Sequence, residues 1–146
     1  MLVGLCIAAR VGGVAFTGMA YAVALAGAYA YVGCGSGGAS LAIVDVSNPA
    51  APATVGVCPL VGTALAVAVA GAYAYAANED RLSVVNVSDP AAPLRVGAYD
   101  PHGQAGAVCI RNDYAYVLTF GDGFHVFDVS NRDAPLRLGW CTGVTN

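Results

Sequence analysis

An all-β fold, a β-propeller segment of three four-stranded blades, is what this sequence predicts, and three observations predict it. A two-part motif recurs three times along the 146 residues. Within each recurrence apolar residues alternate with a period of two, the period of an extended strand. Residues suited to tight turns separate the alternating runs. Four short strands in roughly 40–45 residues is the repeat length of a propeller blade. No 3.6-residue period supports a helical solenoid, and Gly or Pro interrupts every long run.

The first half of the motif is Ala26-Gly27-Ala28-Tyr29-Ala30-Tyr31, which returns from Ala70 to Tyr75 and as Arg111-Asn112-Asp113-Tyr114-Ala115-Tyr116. The second half is Val44-Asp45-Val46-Ser47-Asn48-Pro49-Ala50-Ala51-Pro52, which returns from Val85 to Pro93 and from Phe127 to Pro135. Spacings are 44 and 41 residues for the first half and 41 and 42 for the second, so length varies in the loop between them.

Each copy divides into four strands. The first covers Met19 to Leu25, Thr63 to Val69 and Gln104 to Ile110. In the second copy Leu65, Val67 and Val69 take one face and Ala64, Ala66 and Ala68 the other, and the small face suits an innermost strand where blades converge. The second strand carries Ala-Tyr-Ala-Tyr and its equivalents, which hold six of the eight tyrosines. The third, Leu82 to Val87, is rich in β-branched residues. The fourth runs over Ala53 to Cys58, Leu94 to Tyr99 and Leu136 to Cys141.

Gly27, Gly71 and Asn112 supply the first hairpin turn, where positive φ is needed. In the Asp-Val-Ser-Asn-Pro turn, Asp45, Asn86 and Asp128 with Ser47, Ser88 and Ser130 act as structural caps, and proline ends the ladder. The resulting plan is one segment over 1–146: a partial N-terminal strand over 1–17, then blades over 18–61, 62–102 and 103–146. Two alignments describe the N-terminal strand. Arg10-Val11-Gly12 matches Arg95-Val96-Gly97, and Leu2-Val3-Gly4-Leu5-Cys6 matches Thr54 to Cys58.

Composition excludes several classes. Apolar residues are 58% and charged residues 10%, which rules out intrinsic disorder. Six arginines, no lysine and a net charge of −3 give no basic field for nucleic acid. Val61 to Ala77 has the apolarity of a membrane span, but Ala70-Gly71-Ala72 is equivalent to Arg111-Asn112-Asp113. Each such charge in mid-bilayer would cost ~2.5–3.5 kcal/mol, so no membrane span is expected. Met1 to Cys6 lacks the basic start of a signal peptide, and the apolar run ends at Arg10.

Leu41-Ala42-Ile43-Val44-Asp45, continued by Val-Ser-Asn-Pro-Ala-Ala-Pro and preceded by Gly-Ala-Tyr-Ala-Tyr-Val, resembles the LVIVD repeat family. The resemblance covers about residues 18–142. Asn86 replaces the Asp in the second copy, and Arg132-Asp133 replace Pro-Ala in the third. It implies a β-propeller, often in bacterial or archaeal cell-surface proteins, and implies no reaction.

The chemistry-bearing residues have plain structural uses. Asp45, Asn86 and Asp128 could form a ring of oxygen ligands, but Asn serves equally as a turn cap. Gly33 to Gly38 is glycine-rich like a phosphate cradle, yet a strand rather than a helix follows, so it reads as a loop. His102 and His125 have no repeated partner. His125, Ser130 and Asp128 make a Ser-His-Asp set by composition only. Of Cys6, Cys34, Cys58, Cys109 and Cys141, mostly free thiols are expected, with Cys109 a small buried filler at the position of Ala68. No cofactor, metal or catalytic residue is expected. The loops between second and third strands differ most, so Asn78, Glu79, Asp80, Arg81 and Asp122 are the candidate ligand contacts.

Propellers close with typically 4–8 blades. Three blades therefore predict a ring that another chain completes: a homo-oligomer, a dimer first, with a fibre as the non-closing outcome. The function expected is a non-enzymatic scaffold or protein-interaction module. A carbohydrate- or small-ligand-binding propeller and a piece of a larger cell-surface protein are the alternatives.

Overall fold

The alternating runs form strands at nearly the expected places in a computed structural model that describes residues 10–16, 18–35, 41–79 and 81–142. Blade 1 comprises β1 (Met19–Ala26), β2 (Tyr29–Gly35), β3 (Leu41–Asp45) and β4 (Ala53–Cys58). Blade 2 comprises β5 (Ala64–Ala70), β6 (Tyr73–Asn78), β7 (Arg81–Asn86) and β8 (Leu94–Tyr99). Blade 3 comprises β9 (Gln104–Arg111), β10 (Tyr114–Phe120), β11 (Gly123–Asp128) and β12 (Leu136–Cys141). Each blade is an antiparallel sheet whose spatial order equals its chain order, as short hairpins require. The register repeats as well. Tyr31 lies between Ala24 and Ile43, Tyr75 between Ala68 and Val84, and Tyr116 between Cys109 and Val126.

The first hairpins turn through Gly27, Gly71 and Asn112, all with φ between 55° and 58°. Each first strand then carries a bulge, at Tyr21, Leu65 and Gly106. The expected alternation through Leu65 therefore breaks, because a bulge residue leaves the pleat. Val67 and Val69 alone continue the larger face.

Blades pack face to face, and the core sits at their junctions. Between blades 1 and 2, Tyr31, Leu41, Ile43 and Cys58 meet Ala74, Val85 and Val87, with Val67 and Val69 packed against them. Between blades 2 and 3, Tyr75, Ala77, Leu82 and Val84 meet Val108, Ala115, Phe127 and Val129. Ala66, Ala68 and Ala70 pack at this same junction, so the small face of β5 points at the next blade and the valine face at the previous one. Gly33 and Gly35 belong to β2 rather than to a loop. A Cβ on Gly33 would come within 2.6 Å of the Ala64 carbonyl oxygen, so glycine here serves close approach of blades. Ser36 to Ser40 lie outside the described residues.

The expected N-terminal strand joins no ladder over residues 10–16. In each blade the fourth strand pairs with the third, and among the described residues no third strand stands beside this segment. Val14 and Phe16 nevertheless pack on Ala30, Val32, Cys34, Ala42 and Val44 of blade 1. The alternative match through Leu2 to Cys6 lies outside the described residues.

Candidate interaction surface

The blade junctions contain one contact that repeats. A side chain on Gly56 of β4 would collide with the carbonyl oxygen of Pro90, in the Asp-Pro turn of blade 2. Gly97 of β8 stands the same way against the carbonyl oxygen of Arg132 in blade 3. The outer strands of blades 1 and 2 thus each seat a glycine on the next blade's turn. What the seat requires is the backbone carbonyl, which explains why Arg132 replaces proline without loss. The Arg132 guanidinium adds an ion pair to Asp113 at 2.9 Å and lies 5.2 Å from the Tyr73 ring centre. Gly139, the equivalent in β12, has nothing within 4 Å among the described residues.

The face around Gly139 repeats a face that is buried elsewhere. Ala77 and Leu82 of blade 2 are 0% exposed, whereas their equivalents Leu118 and Phe124 in blade 3 are 52% and 38% exposed. Tyr116 stacks on Phe124 at 6.1 Å but has no next blade to cover it among the described residues. A cleft of about 280 Å³ opens here, lined by Gly106, Ala107, Leu118, Thr119, Phe120 and Gly123. Cys109 is exposed for the same reason, against the expectation of a buried filler: its counterpart Ala68 is covered by blade 3, and no further blade covers Cys109 among the described residues. At the other end Val23 and Leu25 are exposed, although their counterparts Val67 and Val69 are packed. Apolar area in contact with water at both ends favours covering by roughly 25 cal/mol per Å².

The loop residues expected to contact a ligand are dispersed. Asn78 is fully buried, so it presents nothing at the surface. Its amide nitrogen donates to the Val61 carbonyl, and its oxygen accepts from the Ser83 hydroxyl at 2.9 Å. Glu79 is exposed, and its carboxylate accepts the Thr63 amide at 3.3 Å. The Glu79 carbonyl accepts the Ala105 amide at 3.2 Å, tying blade 2 to blade 3. Arg81 borders two shallow clefts of about 260 and 270 Å³, one with Tyr99 and Asp100 and one with Arg95 and Asp133. Asp122 lies in the separate loop of blade 3. Asp80 lies outside the described residues.

The turn residues form Asx turns. Asp45, Asn86 and Asp128 each accept the amide two residues on, from Ser47, Ser88 and Ser130, at 2.8–2.9 Å. The serine hydroxyl and amide hydrogen bonds hold the Asp45 and Asp128 carboxyls below the usual carboxylate range. Among the described residues no group of three His, Cys, Asp or Glu side chains is placed to hold a metal ion. The cysteines Cys34, Cys58, Cys109 and Cys141 are free, and burial pushes the Cys34 and Cys58 thiols up. Cys6 lies outside the described residues.

His125 is fully buried and is not joined to Ser130 or Asp128. Its Nε2 lies 3.1 Å from the Thr119 hydroxyl and 3.4 Å from Asp122. The Thr119 hydroxyl donates to the Gly123 carbonyl at 3.2 Å, so its oxygen accepts from His125 and the proton of the neutral ring belongs on Nε2. Nδ1 is buried without a hydrogen-bond partner among the described residues. Burial pushes the imidazole below its ordinary value of 6.5, against the opposing pull of Asp122. The folded chain therefore binds fewer protons here than the unfolded chain. Stability from this residue is complete above 6.5 and is lost as pH falls through the lower folded-state value. The urea midpoint should fall between pH 7 and 5, and His125→Ser, the residue at the equivalent position Ser83, should flatten that slope. An unchanged slope in the variant would assign the acid sensitivity elsewhere.

Comparison with known proteins fits this geometry. The LVIVD repeat matches three times, over residues 17–59, 61–101 and 102–142. The chain belongs to the LVIVD repeat family. Each LVIVD match spans one of the three blades almost end to end. Among solved structures, the computationally designed Ika4 protein is similar with a TM-score of 0.74 at 9% identity, over 94% of this chain and 82% of that one. At that identity the likeness concerns the fold alone. None of the curated proteins matches the LVIVD chain. No helix of the described residues is long and apolar enough to cross a membrane.

Proposed function

We propose that this LVIVD chain is a non-enzymatic scaffold that associates with further copies of itself through the blade faces at its two ends. One observation carries the reading: the residues that bury the outer face of blade 2 recur in blade 3 as Leu118 and Phe124, both exposed. The tyrosines support it too. Tyr31 and Tyr75 are buried between blades, which spends them on packing rather than on a ligand platform. The clefts that Arg81 borders favour the carbohydrate-binding alternative, but at about 260–270 Å³ they fall below the ~300–1,000 Å³ usual for ligand pockets.

Light scattering across a concentration series tests the proposal. The wild-type chain should show a mass above that of one chain. Leu118→Asp places a charge where a neighbouring blade would pack, and should return the mass to one chain with an unchanged circular dichroism spectrum. A wild-type mass of one chain at every concentration would sink the reading.

A further inference from the structure

The N-terminal segment takes, on blade 1, the positions that β4 takes on blade 2 and β8 on blade 3. Gly12 sits on the Pro49 to Pro52 turn of blade 1, where an added Cβ would strike the Pro49 carbonyl oxygen. That is the seat Gly56 and Gly97 occupy on the next blades. Counting on from each glycine, Val14 and Phe16 correspond to Cys58 and Leu60, which pack at the first junction. They correspond equally to Tyr99, packed at the second junction, and to the fully buried Pro101. The segment therefore fills the place that an incoming outer strand would take.

We infer that residues 10–16 are a detachable cap on blade 1, and that β12 of a second copy, led by its Gly139, displaces them to form the head-to-tail junction. The inference rests on the self-association reading and specifies its contact. Two features select a second copy as the occupant. Gly139 is a seating glycine without a turn among the described residues, and every copy carries the matching turn at Pro49 to Pro52. Side-chain volumes also compensate. The open face of blade 3 carries Leu118 and Phe124 where blade 2 carries Ala77 and Leu82, and so needs a smaller opposite face. Blade 1 offers one, with Ala42 and Val44 where blade 3 carries His125 and Phe127. Val23 and Leu25 then take the packed roles of Val108 and Ile110. Because cap and partner compete for one seat, the fraction of uncapped chain scales the apparent affinity.

Sedimentation velocity on wild type, Gly12→Val and Gly139→Val tests this. Gly12→Val evicts the cap and should move association to a concentration at least about tenfold lower. A Cβ at Gly139 meets nothing within 4 Å among the described residues, but Gly139→Val would strike the partner's Pro49 turn, so it should abolish association while leaving the melting temperature of the dilute chain unchanged. The double variant should also be one chain in mass. Wild-type association that neither substitution changes, with Leu118→Asp still arresting it, would overturn the cap while the self-association reading stands. Single-chain mass for wild type at every concentration would overturn both.

Discussion

Phe127→Ala should lower the unfolding free energy of the dilute chain by about 4 kcal/mol, measured by urea titration followed by circular dichroism. Phe127 is fully buried at the junction of blades 2 and 3, with the Tyr99 ring 4.5 Å away and the His125 ring stacked at 6.0 Å. Its removal leaves a cavity bounded by two separate sheets, and neither can collapse without pulling the blades out of register. Phe124, on the same strand, provides the contrast. It faces the open side and is already 38% exposed, so Phe124→Ala should cost about 1 kcal/mol in the dilute chain. Equal losses for the two would mean that the junction is not where the stability resides.

Gly97→Val should cost about 3 kcal/mol, the overpacking range for a site that cannot yield. The obstacle is the Arg132 carbonyl oxygen, a backbone atom in a turn held by the Asn131 bond to the Asp133 amide and by the Arg132–Asp113 ion pair. Moving it would disturb all of these. Gly139→Val introduces the same side chain at the equivalent place in β12, where nothing stands within 4 Å among the described residues, and should cost nothing in the dilute chain. A Gly97 variant as stable as its Gly139 counterpart would remove the glycine seat as a feature of the junction.

Much of this was legible from one copy of the repeat. The outer strands Ala53–Cys58, Leu94–Tyr99 and Leu136–Cys141 form where the alternation placed them. Gly27, Gly71 and Asn112 turn the hairpins where positive φ was expected. The bulge at Leu65 was hidden, since the amino-acid pattern alternates straight through it and only the pairing across the ladder shows where the facing of the side chains breaks. Asn78 looked like a loop-tip ligand contact because polarity in a variable loop suggests exposure. Its burial follows from the Val61 carbonyl, 17 residues earlier, which no local pattern connects to it.

The sequence by itself determined the blade: alternation sets extended backbone, short turns force neighbouring strands to pair in chain order, and three repetitions set three such sheets. Only the tertiary structure decided which faces are covered. Cys109 and Ala68 are equivalent by repeat, yet one is exposed and the other packed, and Gly12 of the Arg10-Val11-Gly12 match is seated on the Pro49 turn of blade 1. The physical reason is that burial belongs to a junction between two blades, whereas a repeat describes one blade at a time.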